Sequence, residues 1–221
     1  VHPGLAESWE FSDDNLSVTY TLRQGVKFHD GTPLTGEIVQ ATVERHLNPE
    51  TASPTAYMLG PLEKAEATGE NTVVYTYTEL FVPMFVGLGY SYCAPISIPA
   101  VEKFGAEFGR NPVGTGPYKF VEWTADDTIA LEKNAEHDWT TTYYPVAQAP
   151  QIDRVEFLVI PEDATRLAAL ETGEVDMVAG TDAVPIDKIR ILTETPGIGV
   201  VTRPALGCYY AYINTQKVPL N

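Results

Sequence analysis

Apolar and polar residues alternate along several short stretches of this chain, and elsewhere apolar residues recur every fourth position. The first pattern is typical of a β-strand with one buried face and the second of an amphipathic α-helix, so a mixed α and β protein is predicted. The clearest strand is predicted at residues 72–78, where Val73, Tyr75 and Tyr77 share one face and β-branched residues occupy the other.

The clearest helix is predicted at residues 36–47. Val39, Val43 and Leu47 recur every fourth residue and would lie on one face of this helix. Thr35 precedes it, and a threonine hydroxyl is well suited to the N-cap position. The Asn-Pro pair that follows the helix should end it.

The remaining elements are shorter. A helix is predicted at residues 164–172, with Asp163 as its N-cap and Gly173 as its C-terminal stop. A short helix is expected at residues 100–108, and the glycine- and proline-rich residues 111–117 should separate two subdomains. Further strands are predicted at residues 17–28 in two pieces, and at residues 118–123, 128–132, 155–160, 175–178 and 209–214, of which 155–160 is apolar enough for a central position.

Residues 80–101 carry no formal charge and are long enough to resemble a membrane-spanning helix of about 20 residues. Three prolines argue against that interpretation, because each removes a backbone donor that a helix in lipid needs: Pro83, Pro95 and Pro99. We therefore expect buried strand and loop in this stretch.

Acidic residues outnumber basic residues, with 30 Asp and Glu against 14 Lys and Arg and a formal net charge of −16. A field of this sign repels phosphate backbones, and no cluster of basic residues interrupts it, so nucleic acid is not expected as a partner. Hydrophobic residues make up 44% of the 221 residues, which is enough for a packed core.

Residues that commonly bind metals are scattered along the chain. The four histidines include no pair one helical turn apart, and neither Cys93 nor Cys208 has a partner at metal-ligand spacing. No metal site and no other cofactor are therefore expected. The two cysteines leave two alternatives open, a disulfide in an exported protein or two buried thiols.

Catalytic motifs are also weak. Ser91 lies in a segment that approaches the G-x-S-x-G nucleophile elbow, but Cys93 stands where the second glycine should be. The abundant acidic residues leave a carboxylate pair for acid–base catalysis open as well. A hydrolase that uses Ser91 or such a pair is kept as an alternative, although we expect a protein that is not an enzyme.

Several tyrosines lie near the ends of predicted strands: Tyr57, Tyr90, Tyr92, Tyr209, Tyr210 and Tyr212. A tyrosine ring buries apolar area while keeping a polar group, which suits a cleft for a peptide or a sugar. Tyrosines of the core or its rim would produce the same pattern, and the residues alone favour this second interpretation.

Four segments are informative when taken together. They are LAESWEFSDDNLSVTYTLRQGVKFHDGTPLTGEIV at residues 5–39, NPVGTGPYKFVEW at 111–123, IPEDATRLAALETGEVDMV at 160–178 and YYAYINTQKVPLN at 209–221. In this order they resemble the family 5 extracellular solute-binding proteins, the oligopeptide-, dipeptide- and nickel-binding subunits of ABC importers, and the resemblance covers the whole chain. NPETASPTAY at residues 48–57 and the last segment look closest to the oligopeptide-binding branch.

The resemblance implies a two-lobed clamp, the periplasmic binding protein-like type II fold, in which the ligand is enclosed between the lobes. Residues 1–116 would then form an extra outer subdomain of lobe one, residues 117–206 the inner part of lobe one, and residues 207–221 a strand crossing into lobe two. Members of the family are more than twice as long, so we expect a partial molecule that lacks most of lobe two.

The resemblance also implies where a ligand would be bound. By position, it implies ligand contacts from Tyr90, Tyr92, Tyr210 and Tyr212. Peptide binders of the same branch often carry an aromatic residue directly after Ala-Ser-Pro, where this chain has Thr55, with Tyr57 two residues later.

The implied activity is capture of oligopeptides outside the cytoplasm, by a periplasmic protein or a cell-surface lipoprotein, for delivery to ABC permease subunits in the membrane. Within the same fold, the alternative ligands are a dipeptide, an oligosaccharide, or nickel or another metal complex. Because most of lobe two is expected to be missing, an apolar lobe face would be exposed, and self-association is expected.

Overall fold

The computed structural model of the chain describes residues 2–139, 150–180 and 183–202, which separate into two compact units, Val1–Val159 and Ile160–Asn221. The predicted mixture of α and β structure is confirmed. The strands are β1 (Ala6–Phe11), β2 (Ser17–Leu22), β3 (Leu62–Gly69), β4 (Thr72–Tyr77), β5 (Tyr118–Thr124), β6 (Thr128–Lys133) and β7 (Arg154–Leu158). The helices are α1 (Gly36–Leu47), α2 (Met84–Leu88), α3 (Ile98–Phe104), α4 (Asp163–Thr172) and α5 (Ile186–Glu194). The expected lobe boundaries at residues 116 and 206 are a different division of the chain and stay predictions.

The first unit contains an antiparallel sheet in the order β1-β2-β4-β3. The pairing of β2 with β4 places Val18 opposite Tyr75 and Tyr20 opposite Val73, and all four side chains are buried. The rings of Tyr20 and Tyr75 meet edge to face with their centroids 5.1 Å apart. The alternation along residues 72–78 therefore predicted the buried face of this sheet correctly.

Helix α1 packs on β3 and β4 and begins at its predicted boundary. Thr35 Oγ1 accepts a hydrogen bond from a backbone N–H of the first turn at 3.4 Å, which satisfies one of the donors that a helix leaves unpaired. Gly36 lies so close to the sheet that an added Cβ would come 2.6 Å from the carbonyl oxygen of Thr72. The first residue of α1 must therefore be a glycine, because even an alanine Cβ would clash with the backbone of the sheet.

A second antiparallel sheet has the order β5-β6-β7. Its register places Trp123, Ile129 and Phe157 side by side across the three strands. The middle strand is β6, whose Ala130 is fully buried, so the central position predicted for residues 155–160 is wrong for this sheet. The apolar run there leaves three side chains well exposed in the structure, namely Phe157, Leu158 and Val159.

The irregular segment at residues 111–117 joins the two sheets and is held by side chains from both sides. The backbone N–H of His29 donates to the Gly114 carbonyl at 2.8 Å, and its Nε2 lies 2.9 Å from the Gly116 carbonyl oxygen. From the other side, Asn134 Nδ2 donates to the same Gly116 oxygen at 3.3 Å. The segment breaks regular structure, as its glycines and prolines predicted, but its backbone is tied down.

In the second unit, α4 begins one residue earlier than predicted. Because Asp163 is already helical, the N-cap is Glu162, whose carboxylate accepts the backbone N–H of Thr165 at 2.6 Å. The other end agrees with the sequence, since Gly173 adopts the left-handed conformation with φ 76°. The prediction of Asp163 as the cap is thus corrected, and that of Gly173 as the stop is confirmed.

Arg166 organises the rest of this unit. Its guanidinium donates to the carbonyl oxygens of Ile160 at 2.7 Å and Ala183 at 3.0 Å, which joins the segments before and after α4. The structure has no strand at residues 175–178, where one was predicted, and it has a helix, α5, that was not predicted.

The uncharged residues 80–101 are not a buried strand. They form α2, a 3-10 turn at Ser91–Cys93 and the beginning of α3. Pro83 lies at the start of α2 and Pro99 in the first turn of α3, positions where a helix needs no proline N–H. The exposed fractions are 64%, 74% and 61% for Leu80, Val82 and Val86. Within the described part of the chain, no helix has the length and hydropathy needed to cross a bilayer.

Three other sequence expectations differ from the structure. Residues 26–28 form only an isolated bridge between Lys27 and Pro33 instead of a strand. Strands β1 and β3 were not predicted, because charged residues interrupt their alternation, and both are edge strands, where such residues are tolerated. The strand predicted at residues 209–214 lies outside the described residues.

Candidate ligand-binding surface

Tyr90 and Tyr92 project from a short loop that follows α2, here called the tyrosine loop (residues 89–93). Their rings stack with centroids 6.4 Å apart and an interplanar angle of 25°. Tyr90 is 47% exposed and Tyr92 is 58% exposed, so both rings offer apolar surface and a hydroxyl to solvent. Two stacked, exposed rings on one loop form a surface on which a planar or apolar group can pack.

Tyr57 and Thr55 belong to the segment that approaches α2. Tyr57 is 74% exposed and lies in the 3-10 turn Ala56–Leu59, which contacts α2. The contact is very close, because a Cβ added to Gly87 would lie 2.2 Å from the carbonyl oxygen of Met58. Gly87 thus allows the turn that carries Tyr57 to lie directly against α2. The tyrosine loop follows this helix.

An aromatic contact fixes the other side of α2. The ring of Phe85 lies 5.2 Å from that of Trp9 and 6.0 Å from that of Phe11, measured between centroids. Because Trp9 and Phe11 belong to β1, this contact anchors α2 to the first sheet. The tyrosine loop therefore follows a helix that is held both by the sheet and by the Tyr57 turn.

His46 connects Thr55 to the tyrosine loop. Its Nδ1 lies 2.9 Å from Ser53 Oγ, and Ser53 Oγ lies 3.3 Å from Thr55 Oγ1. Burial lowers the pKa of His46, the charge of Arg45 lowers it further, and a hydrogen bond to the backbone of Tyr92 acts in the opposite direction. A backbone group that favours the charged imidazole must be an acceptor, so the ring faces the Tyr92 carbonyl.

The sequence indicated Thr55, Tyr57, Tyr90 and Tyr92, and the structure brings them into one region through α2 and His46. His46 itself was missed. Its spacing from the other histidines carried no metal or catalytic signal, and its role depends on contacts with residues seven and 46 positions away. The other two predicted site residues, Tyr210 and Tyr212, lie outside the described residues.

Three other tyrosines belong to the core. Burial raises the pKa of Tyr20, Tyr75 and Tyr77 above the usual range for a phenol, as expected for rings inside the first sheet. These three are not among the six tyrosines that the sequence singled out. Of those six, Tyr57, Tyr90 and Tyr92 are exposed and not part of the core, and Tyr209, Tyr210 and Tyr212 lie outside the described residues.

The described residues also form a cleft of about 550 Å³ beside His29, Asp30 and α3, and a smaller one of about 250 Å³ beside His137. Neither cleft is lined by a predicted site residue. The exposed rings of Tyr90 and Tyr92 thus lie outside both of these clefts.

The chemistry that was considered as an alternative gains no support from the described residues. Ser91 is exposed in the turn Ser91–Cys93, and no hydrogen bond joins its hydroxyl to a histidine or a carboxylate there. In the same part of the chain, no group of three or more histidines, cysteines or acidic residues is placed to hold a metal ion. Burial raises the pKa of the Cys93 thiol, and its predicted alternative partner, Cys208, lies outside the described residues.

A family model described as bacterial extracellular solute-binding proteins, family 5 middle, matches residues 1–221. The chain is 30% identical over 217 residues to the glutathione-binding protein GsiB of Pectobacterium atrosepticum, covering 98% of this chain and 40% of that protein. It is 31% identical over 227 residues to the probable D,D-dipeptide-binding periplasmic protein DdpA of Escherichia coli, covering 100% of this chain and 41% of that protein.

A similar solved structure is that of the PBP AgaA from A. tumefaciens R10 in complex with agropinic acid. The TM-score is 0.76 at 32% identity, covering 88% of this chain and 37% of that one. This likeness confirms the expected periplasmic binding protein-like fold. The chain spans about 40% of the length of the curated relatives, which agrees with the expectation of a partial molecule.

Proposed function

Because the chain belongs to the family 5 bacterial extracellular solute-binding proteins, we propose that it is part of the solute-capturing component of an ABC importer and that its ligand is an oligopeptide. Capture would occur outside the cytoplasm, by closure of two lobes around the ligand. This chain would supply mainly the first of the two walls.

The observation that carries the proposal is the stacked pair Tyr90 and Tyr92. Two exposed rings stacked on each other form a contiguous apolar patch, and covering it would be favourable by several kcal/mol at about 25 cal/mol per Å². A ligand held between two lobes would cover them. In this arrangement the rings stack on the ligand, and Thr55 and Tyr57 contact it from the adjacent turn.

Peptide is preferred as the ligand because of both the surface and the relatives. Tyrosine rings and hydroxyl groups can pack on and hydrogen-bond a peptide whatever its side chains are, as a binder of varied peptides requires. The two curated relatives are named for glutathione and for a D,D-dipeptide, both of which are short peptides.

Other ligands fit the same fold. Agropinic acid in the AgaA structure is a small organic acid, and a dipeptide, an oligosaccharide or a nickel complex remains an alternative for this chain. A metal complex would need few protein ligands, because the chelating molecule supplies them. Binding experiments must therefore include non-peptide solutes.

The proposal also names partners. The closed, loaded protein would dock on ABC permease subunits in the membrane, from the periplasm or as a cell-surface lipoprotein. No catalytic step is needed, because transport is driven elsewhere and the binding protein only captures and releases. Without an opposing lobe, the exposed apolar side chains around α2 favour self-association of this chain alone.

The experiment that tests the proposal is calorimetric titration of the complete protein that contains this chain with peptides of two to eight residues. The variant Tyr90→Ala/Tyr92→Ala should bind roughly five- to 150-fold more weakly, since two aromatic contacts contribute about 0.5–1.5 kcal/mol each and 1.4 kcal/mol is a factor of ten. The matched control is Trp123→Ala, another exposed aromatic residue, on β5, which should bind as the unmodified protein does.

Two results would contradict the proposal. If no peptide binds while a sugar or a metal complex does, that solute is the ligand and the peptide assignment is wrong. Equal loss of affinity in Trp123→Ala and in the double tyrosine variant would remove the tyrosine loop from the binding surface. For the hydrolase alternative, Ser91→Ala should change nothing, and a hydrolytic activity lost in that variant would establish an enzyme instead.

A further inference from the structure

A chain of hydroxyl groups leads from a half-buried imidazole to the candidate ligand surface. His46 Nδ1 lies 2.9 Å from Ser53 Oγ, which lies 3.3 Å from Thr55 Oγ1. Thr55 precedes the turn Ala56–Leu59 without making a capping hydrogen bond to it. Its hydroxyl is therefore engaged by Ser53 on one side and is available to a ligand on the other.

The direction of these hydrogen bonds depends on the imidazole. Nδ1 faces Ser53, so we assign the hydrogen bond to the Tyr92 backbone to Nε2. With the hydrogen of the neutral ring on Nε2, Nδ1 accepts. Ser53 must then donate its single hydrogen to Nδ1, so its oxygen accepts from Thr55. Thr55 has now used its hydrogen, and it presents only lone pairs to a ligand.

Protonation of His46 reverses the order. Both ring nitrogens of an imidazolium are donors, so Nδ1–H donates to Ser53 Oγ. The Ser53 hydrogen then has one described acceptor left, Thr55 Oγ1. Thr55 accepts this bond, and its own O–H becomes free to donate to a ligand.

We propose that His46 is a positioning residue that sets, through Ser53, whether the Thr55 hydroxyl accepts or donates a hydrogen bond at the ligand surface. This inference depends on the proposed function at one point only, the contact between Thr55 and the ligand. In the neutral state Thr55 favours a ligand N–H, and in the protonated state it favours a ligand carbonyl or carboxylate. His46 thereby makes the polarity of one contact depend on pH.

The surroundings of His46 set the pH at which the reversal occurs. Burial and the charge of Arg45 lower the pKa of the ring below its ordinary value. The hydrogen bond to the Tyr92 backbone raises the pKa, but by less than the other two effects lower it. The neutral ring is therefore the form present at neutral pH, and the reversal occurs at a pH below the ordinary pKa of a histidine. The elements packed against α1 are β3, β4, α3 and the turn Pro49–Thr51, and their charged or titratable groups are Glu63, Lys64 and Glu66 on β3, Tyr75 and Tyr77 on β4, Glu50 on the turn, and Glu102 and Lys103 on α3. The tyrosine loop adds Tyr90, Tyr92 and Cys93.

The reversal is tested first without a ligand. Selectively labelled His and Thr resonances of the complete protein are followed by NMR from about pH 8 to pH 4.5. We expect the Thr55 resonances to shift with the same midpoint as those of His46. In Ser53→Ala, His46 should still titrate while Thr55 no longer follows it. His137→Gln, which alters a histidine beside the smaller cleft, should leave the Thr55 titration unchanged.

The consequence for binding is tested with trialanine as the probe, by calorimetry at about pH 5 and pH 8. The affinity ratio between the two pH values should be roughly three- to tenfold, the size of one hydrogen bond. Thr55→Val, which keeps the shape without the hydroxyl, should abolish this ratio, and Thr55→Ser should retain it.

The NMR experiment and the binding experiment can contradict the proposal independently of each other. The relay is the hydrogen-bond chain from His46 through Ser53 to Thr55. It is overturned, independently of any binding result, if the Thr55 resonances do not shift with the midpoint of His46 or if they still do so in Ser53→Ala. If the relay is present but Thr55→Val keeps the pH dependence, its role at the ligand surface is overturned. If the relay is present and no peptide binds at any pH, the proposed function fails while the coupling of His46 to Thr55 stands.

Discussion

The close approach between α2 and the Tyr57 turn gives the sharpest mutational prediction. A Cβ at position 87 would lie 2.2 Å from the Met58 carbonyl oxygen and 3.6 Å from the Met58 Cβ. The first contact is with a backbone atom, which no side-chain rotation can move. In Gly87→Ala, either α2 or the turn Ala56–Leu59 must therefore shift.

The size of the effect follows from two opposing contributions. Forcing extra volume into a packed contact costs about 1–3 kcal/mol, and a backbone clash belongs in the upper half of that range. Replacing a helical glycine by alanine contributes up to about 1 kcal/mol of stability in return. The net loss is about 1–2 kcal/mol, which lowers Tm by roughly 2–8 °C for a domain of this size.

The assay is thermal and urea unfolding, together with near-ultraviolet circular dichroism as a readout of the tyrosine environment. Gly109→Ala is the matched control, because a Cβ at position 109 has open space around it. Gly87→Ala should lose stability and alter the tyrosine signal, while Gly109→Ala should do neither. A Gly87→Ala protein with unchanged Tm and unchanged spectrum would refute the proposed contact between α2 and the turn.

Further predictions concern pH, the core and binding. Burial lowers the pKa of His29, His46 and His137 in the folded protein, so below about pH 6.5 the unfolded chain binds protons that the folded chain does not. The free energy of unfolding, from urea titrations, should therefore fall as the pH drops below about 6.5; a rise would contradict the direction of these shifts. The buried Tyr20 hydroxyl has no hydrogen-bond partner among the described residues, so Tyr20→Phe should leave the unfolding free energy unchanged or raise it, whereas a loss above about 1 kcal/mol would mean that the hydroxyl is bonded. This chain alone should bind peptides weakly because no second wall desolvates the ligand, and calorimetry giving a submicromolar Kd would count against enclosure.

Several elements could be predicted from the sequence because local patterns decided them. Helix α1 and strand β4 have the boundaries that periodicity and the Thr35 cap indicated, to within one residue. The prediction of buried strand and loop for residues 80–101 was wrong, because their apolar character suggested burial. Their prolines instead favour the starts of short helices, and part of the apolar surface stays exposed.

The candidate site could be predicted only in part, since it depends on distant contacts. A tyrosine in an alternating strand and a tyrosine in a loop look alike by composition, yet Tyr75 is buried and Tyr92 is exposed. The resemblance to a family indicated the second group by position. It gave no indication of His46, whose partners come from two loops that only the folded chain brings together.

Three separate contacts hold the tyrosine loop and the helix that leads into it. Phe85 attaches α2 to the first sheet, Gly87 lets the Met58 backbone lie against the same helix, and His46 reaches the backbone of Tyr92. A loop already held in place loses less conformational entropy when a ligand stacks on it, so more of the contact energy appears as affinity. Rings that are fixed in position yet exposed suit a binding surface better than they suit either a mobile loop or a core. This combination distinguishes Tyr90 and Tyr92 from the buried tyrosines, and it supports the tyrosine loop as the proposed ligand surface although the larger of the two described clefts lies elsewhere.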